Sequence, residues 1–97
     1  MNKPYHLRVI VPTPGNAVPL SDTPRPVLEV HIQSLLENTG YICVGGPGVR
    51  ARAGERNSPS MDAKETFSWK QPTDLSHWWI DATVADEGVC VLAIIDA

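Results

Sequence analysis

The chain has 97 residues, 42% of them hydrophobic and 20% charged, with 8 basic against 11 acidic side chains and a net charge of −3. These proportions are those of a globular domain and exclude a disordered or fibrous chain. The acidic balance removes any global attraction to phosphate backbones, and no stretch reaches the roughly 18 apolar residues of a membrane-spanning helix.

The start, MNKPYHLRVIVPTPG, lacks a basic region followed by a long apolar run, so a soluble chain without a secretory signal or membrane partner is expected. A single domain over residues 1–97 suits the length. A chain of this size buries only about 60 to 65% of its unfolded surface, so neighbouring subunits are expected to contribute to stability.

Nine prolines and seven glycines are spread along the chain and keep uninterrupted segments short, which favours strands. In chain order the strand-prone runs are His6 to Val11, a weaker one at Ala17 to Leu20, Val27 to Gln33, Tyr41 to Val44, Val49 to Ala53, Glu65 to Trp69, Trp78 to Val84 and Val89 to Ile95. Turn-forming residues separate them at intervals of about eight to twelve, the pattern of an all-β domain: a small β-sandwich or jelly-roll-like barrel of about eight short strands.

PVLEVHIQSLLENTG is ambiguous. Pro26 at a first helical position, Leu28, Ile32, Leu35 and Leu36 at near-helical spacing and Gly40 as a stop describe a helix of about eleven residues. Against it, Val27, Val30 and Ile32 are β-branched, and Leu28, Val30 and Ile32 alternate with Glu29, His31 and Gln33. The alternation favours a strand to Gln33 and a turn from Ser34 to Gly40. The last run, VCVLAII, is apolar on both alternating faces, which predicts one face on the core and the other under a loop or a neighbouring subunit.

The stretch ENTGYICVGGPGVRARAGER, residues 37–56, poses the main functional question. Gly46-Pro47-Gly48-Val49-Arg50-Ala51 satisfies the G-x-G-x-x-A form of a dinucleotide fingerprint. That fingerprint works because a helix follows and aims its N-terminal amides at a pyrophosphate. Here Gly54 and Pro59 leave no room for that helix, and no Gly-Lys-Ser/Thr follows for a Walker-type loop. Asn38, Gly40, Gly45, Gly46 and Gly48 are therefore read as structural turn residues, the glycines giving positive φ and close backbone approach between two strands.

Other chemistry finds no pattern. His6, His31, His77, Cys43 and Cys90 lack zinc-ligand spacing, so no metal is expected, and the two cysteines sit in apolar runs as free thiols. No G-x-S-x-G elbow accompanies the serines, and Asp74, Asp81 and Asp86-Glu87-Gly88 read as turn formers, the last as a hairpin bend between the final two strands. No enzyme activity and no cofactor are expected. Arg50, Arg52 and Arg56, interrupted by Glu55, form the one basic cluster and read as a solvated loop rather than a nucleic-acid site.

Trp69, Trp78 and Trp79 are the remaining signal. Trp78 and Trp79 point to opposite faces of a strand, so one is expected in the core and the other outward, at a subunit interface or as a sugar-stacking platform. Tyr5, His6, Arg50, Arg52, Trp78 and Trp79 are the candidate interface residues.

The run IQSLLENTGYICVGGPGVRA resembles a motif of small virion proteins of tailed bacteriophages: Asn-x-Gly, aromatic-Ile-x-Val-Gly-Gly, a spacer and Val-x-Ala, here on Asn38, Gly40, Tyr41, Ile42, Val44, Gly45, Gly46, Val49 and Ala51. DLSHWWIDATVADEGVCVLAI resembles the closing pattern of the same proteins, whereas GERNSPSMDAKETFSW departs from it with Pro59 and Met61. The resemblance implies a β-sandwich or jelly-roll protein that decorates and cements the outer capsid surface of the virion. Its partners would be the major capsid protein and further copies of itself, as a dimer or trimer. A tail or spike module binding a receptor or carbohydrate is the alternative. On the decoration reading residues 1–15 are expected to form an N-terminal docking arm, with His6 to Val11 joining the capsid protein by strand addition.

Overall fold

The structure, a computed structural model, describes residues 1–96. Ala97, the last residue of the expected domain, lies outside the described residues. Ten strands follow in chain order: β1 Asn2–Val11, β2 Val18–Pro19, β3 Pro26–Val27, β4 Glu29–Ser34, β5 Ile42–Gly45, β6 Ser60–Met61, β7 Thr66–Trp69, β8 Thr73–Asp74, β9 Trp79–Ala82 and β10 Glu87–Asp96. A single 3-10 turn, Leu75–His77, precedes β9.

Eight of the strands form two four-stranded sheets, ordered β1-β10-β4-β7 and β2-β9-β5-β6, while β3 and β8 pair separately. Every pairing is antiparallel. The pairs nest, first strand with last (β1 with β10), then β2 with β9, β4 with β7 and β5 with β6, as when one long hairpin is rolled up. This is a jelly roll.

Strict alternation places the core. Val30, Ile32 and Ser34 of β4 and Val89, Val91, Ala93 and Ile95 of β10 are buried on the inner face. From the other sheet Ile42, Met61, Ile80 and Ala82 meet them, joined by Val11, Leu20, Val27 and Leu75. The ambiguous segment is thus strand, with a break at Leu28, and the β-branched alternation outweighs the near-helical spacing of its leucines.

Several expectations are corrected. Residues 2–11 are not an arm: β1 pairs with β10 over its whole length, from Asn2↔Asp96 to Val11↔Glu87, and packs Tyr5, Leu7 and Val9 against the core. Val49 to Ala53 is not a strand. It belongs to the loop 46–59 between β5 and β6, a connection too long to be a tight turn. Asp86-Glu87-Gly88 does not bend a hairpin, because β9 and β10 lie in different sheets and the chain crosses between them there, with Asp86 at φ 64°.

The glycine expectations divide. Gly45 approaches Val49, whose Cγ2 lies 3.2 Å from where a Cβ would stand, whereas Gly46 and Gly48 have open space there and none of the three has positive φ. Gly40 is required by close approach: a Cβ would come within 2.2 Å of Thr83 Oγ1. Sequence spacing identified the motif but not which of its glycines are constrained.

Candidate functional site

The register of the first sheet places its outward residues in rows. Arg8, Cys90, Gln33 and Thr66 form one, and His6, Leu92, His31 and Ser68 the next, with Pro4, Ile94 and Glu29 beyond. Cys90 and Leu92 are exposed, Leu92 by 46%, and Ile94 is half-buried. The central strand therefore carries an apolar strip in the middle of a polar face. Its doubly apolar sequence predicted cover on both sides, and within the chain only the inner side has it.

The strip has polar flanks. His31 is held on the face by Ser68 Oγ at Nδ1 and Glu29 Oε1 at Nε2, both at 2.8 Å. His6 is exposed on the other side of Leu92, and together with Cys90, Gln33 and Thr66 these groups surround a shallow hollow of about 330 Å³.

A second concave surface lies where the loop 46–59 meets Tyr41 and Thr83. Two adjoining hollows of about 400 and 450 Å³ share Tyr41, Ala53 and Thr83, with Arg56 lining one and Arg52 the other. The loop is shaped from within. Asn57 accepts from the Arg50 amide at 2.9 Å and donates to Gly48 O at 3.1 Å, and Gly46 O accepts from the Val49 amide.

Asp81 ties this loop to the fold. Its fully buried carboxylate accepts from the amides of Gly15 at 3.0 Å, Ala51 at 2.9 Å and Ala82 at 2.9 Å. It is a buried strand residue joining two loops, not the turn former its sequence context suggested. Backbone amides supply the compensation that a buried charge requires. Asp74 does form a turn, capping Leu75–His77. Hydrogen bonds from the Ser76 hydroxyl and from the Arg25 and Ser76 amides hold its carboxyl down at about 2.

The candidate interface residues do not converge. Tyr5 lies on the inner face of β1 beneath the Arg25 guanidinium, whose carbon is 4.3 Å from the ring centre, and His6 points outward on the same strand. Arg50 and Arg52 are exposed on the loop, 3.4 and 4.0 Å from Glu55. Trp78 packs against the core and donates from Nε1 to Thr73 Oγ1 at 2.9 Å, with Phe67 and Trp69 each 5.5 Å from its ring. Trp79 packs on Cys43, Val49 and Ala51. Neither of the pair projects freely. The more exposed tryptophan is Trp69, the last residue of the edge strand β7.

Asn38 and Gly40 lie in the turn that follows β4. The Glu87 carboxylate accepts from the Thr39 amide at 2.7 Å, the Thr39 hydroxyl at 2.9 Å and the Gly40 amide at 3.0 Å. Burial pushes this carboxyl upward, but those hydrogen bonds outweigh it and set it below the usual range.

Both cysteines are free. Burial raises the Cys43 thiol, whereas Cys90 is exposed on the outer sheet face. Among the described residues no three His, Cys, Asp or Glu side chains stand together as a metal cluster, and no helix is long and apolar enough to cross a membrane. Comparison with protein-family models, curated proteins and solved structures finds no match to the chain.

Proposed function

We propose that the chain is a structural virion protein that decorates and stabilises a phage capsid through protein contacts on the outer face of the β1-β10-β4-β7 sheet. The observation that carries this reading is Leu92, exposed on a central strand between His6 and His31, with Cys90 and Ile94 continuing the strip. An antiparallel sheet with one face on a core ordinarily turns polar residues outward, and apolar side chains there suit a protein interface. The sheet supplies the surface, and the resemblance to phage virion proteins suggests the capsid.

Stabilisation would follow from mass action. An interface that exists only in the assembled shell lowers the free energy of that shell relative to separated subunits. The partners would be the major capsid protein and further copies of the chain, on the outer surface of the virion, with no nucleic acid, membrane or cofactor taking part. Particles freed of this protein and supplied with it again should rebind it and withstand higher temperature or lower salt. Leu92→Glu, an exposed change that leaves the core intact, should abolish rebinding. Failure of the unaltered protein to rebind or to protect the shell would sink the reading.

A second reading, a tail or spike module for a receptor or carbohydrate, is favoured by the two hollows that share the exposed Tyr41, one lined also by Arg56 and the other by Arg52. A stacking ring flanked by guanidinium donors suits an acidic sugar. Glycan binding lost in Tyr41→Ala, with the fold retained, would favour this reading over decoration.

A further inference from the structure

The first sheet has a long open edge at β1. β1 ends the sheet, and among the described residues no strand pairs with its far side over the ten residues Asn2–Val11. The side to which each residue's backbone points can be assigned. Ile94 O and Gly88 O accept from Leu28 and Leu35 on the β4 side, so the even residues of β10 face β4 and the odd ones face β1. Through the register the odd residues of β1 bond β10, and Asn2, Pro4, His6, Arg8 and Ile10 turn their backbone groups outward. Pro4, with no N–H, stands at one of these outward positions, as an edge strand requires.

Charge on this edge has one sign. Residues 1–11 contain Lys3, His6 and Arg8 and no carboxylate, in a chain whose overall charge is −3. Neither Lys3 nor Arg8 has an ion-pair partner among the described residues. Arg25 adds a fourth basic group, lying over Tyr5 with its Nε buried and unpartnered. In the outward rows that reach β1 the carboxylates are Glu29, two strands away and bonded to His31, and Asp96 at the chain end. On the inner face Tyr5, Leu7 and Val9 remain half-buried, so the core is incompletely covered where the sheet stops.

We propose that β1 receives an extended acidic segment of another protein as a fifth strand of this sheet. The outward amides of His6, Arg8 and Ile10 supply the main-chain hydrogen bonds. Carboxylates opposite Arg8 and His6 supply charge complementarity, and alternate apolar residues cover Tyr5, Leu7 and Val9. A second copy of β1 fits less well, because pairing two such strands brings Lys3, His6 and Arg8 of both together. The direction of docking is the reverse of an arm leaving this chain: the chain is the acceptor. The inference rests on the reading of the protein as one that works through protein contacts, and it names the chemistry of one such contact.

The test uses the full chain and two capped heptapeptides, Val alternating with Glu and Val alternating with Lys, with amide hydrogen exchange followed residue by residue. The Glu peptide should slow exchange at His6, Arg8 and Ile10 by tenfold or more and leave Leu7, already bonded to β10, unchanged. The Lys peptide should protect none of these amides, and Arg8→Glu should reverse the preference. No protection by the Glu peptide, or equal protection by both, would overturn the proposal. Protection of the same amides by raising the protein concentration alone would overturn it in favour of a second copy. Because no capsid is involved, capsid rebinding can succeed or fail independently.

Discussion

Asn38 and Gly88, fifty residues apart, pair as two strand residues would: Asn38 Nδ2 donates to Gly88 O at 2.9 Å and the Gly88 amide donates to Asn38 Oδ1 at 3.4 Å. One buried side chain thus fastens the turn after β4 to the point where β10 begins. Asn38→Ala leaves the buried Gly88 amide without its acceptor, while Gly88 O keeps the Leu35 amide, and should cost about 2 kcal/mol. Gly88→Ala is the harsher change, since a Cβ would fall 1.9 Å from Val9 O and force β1 away from β10. Its cost should exceed about 3 kcal/mol. Denaturant unfolding of the two variants checks the order.

Asp81 should prove the most sensitive carboxylate. Asp81→Asn keeps the shape but turns an N–H₂ group toward an amide donor at Gly15 or Ala51, and should cost about 2 kcal/mol. Asp81→Ala should cost more. Because the loop 46–59 loses its tie to β9, amide exchange in that loop should accelerate before the sheets are affected.

Acid should weaken the fold through Asp74 and Glu87. Both carboxyls sit below their ordinary values in the folded chain, Asp74 at about 2, each held by hydrogen bonds to its ionised form. A depressed folded value means the unfolded chain takes up protons first. Their stabilisation is therefore fully present above the ordinary carboxylate range and is lost as the pH falls from there toward about 2. Asp74→Asn and Glu87→Gln should each flatten the decline in thermal midpoint between pH 5 and pH 2, as scanning calorimetry would show.

The aromatic cluster should divide by burial. Trp78→Ala removes a ring packed between Phe67 and Trp69 and leaves Thr73 Oγ1 without its donor, at a cost of about 3 kcal/mol. Trp69→Ala, at an exposed edge, should cost under about 1 kcal/mol. Equal costs would mean that Trp69 is the anchor of the cluster.

What the sequence disclosed follows from which interactions are local. Alternation in Val30 to Gln33 marked a strand and its inner face, because the side-chain period of a strand is set by its own backbone, whereas Val89 to Ile95, apolar on both faces, marked a strand without saying which face turns inward. The two-residue strands β6 and β8 were illegible, since so short a segment has no period and is held by its partner. Asp81 was misread for a related reason: the amides that satisfy it come from residues 15 and 51. At the candidate site, the apolar outer residues of β10 were readable, whereas the rows joining Leu92 to His6 and His31 required the register. The N-terminal segment was strand-prone in sequence, but nothing local told that β10 would take it up.

The central claim, that the outer face around Leu92 is covered in the assembled particle, can be read through the chain's own thiols. Cys90 stands on that face and is exposed, while Cys43 is buried with its thiol raised. A maleimide should label the free folded protein at Cys90 and leave Cys43 unlabelled. On a capsid carrying the protein, Cys90 labelling should slow by tenfold or more. Labelling of Cys90 on the particle as fast as in free solution would contradict the account.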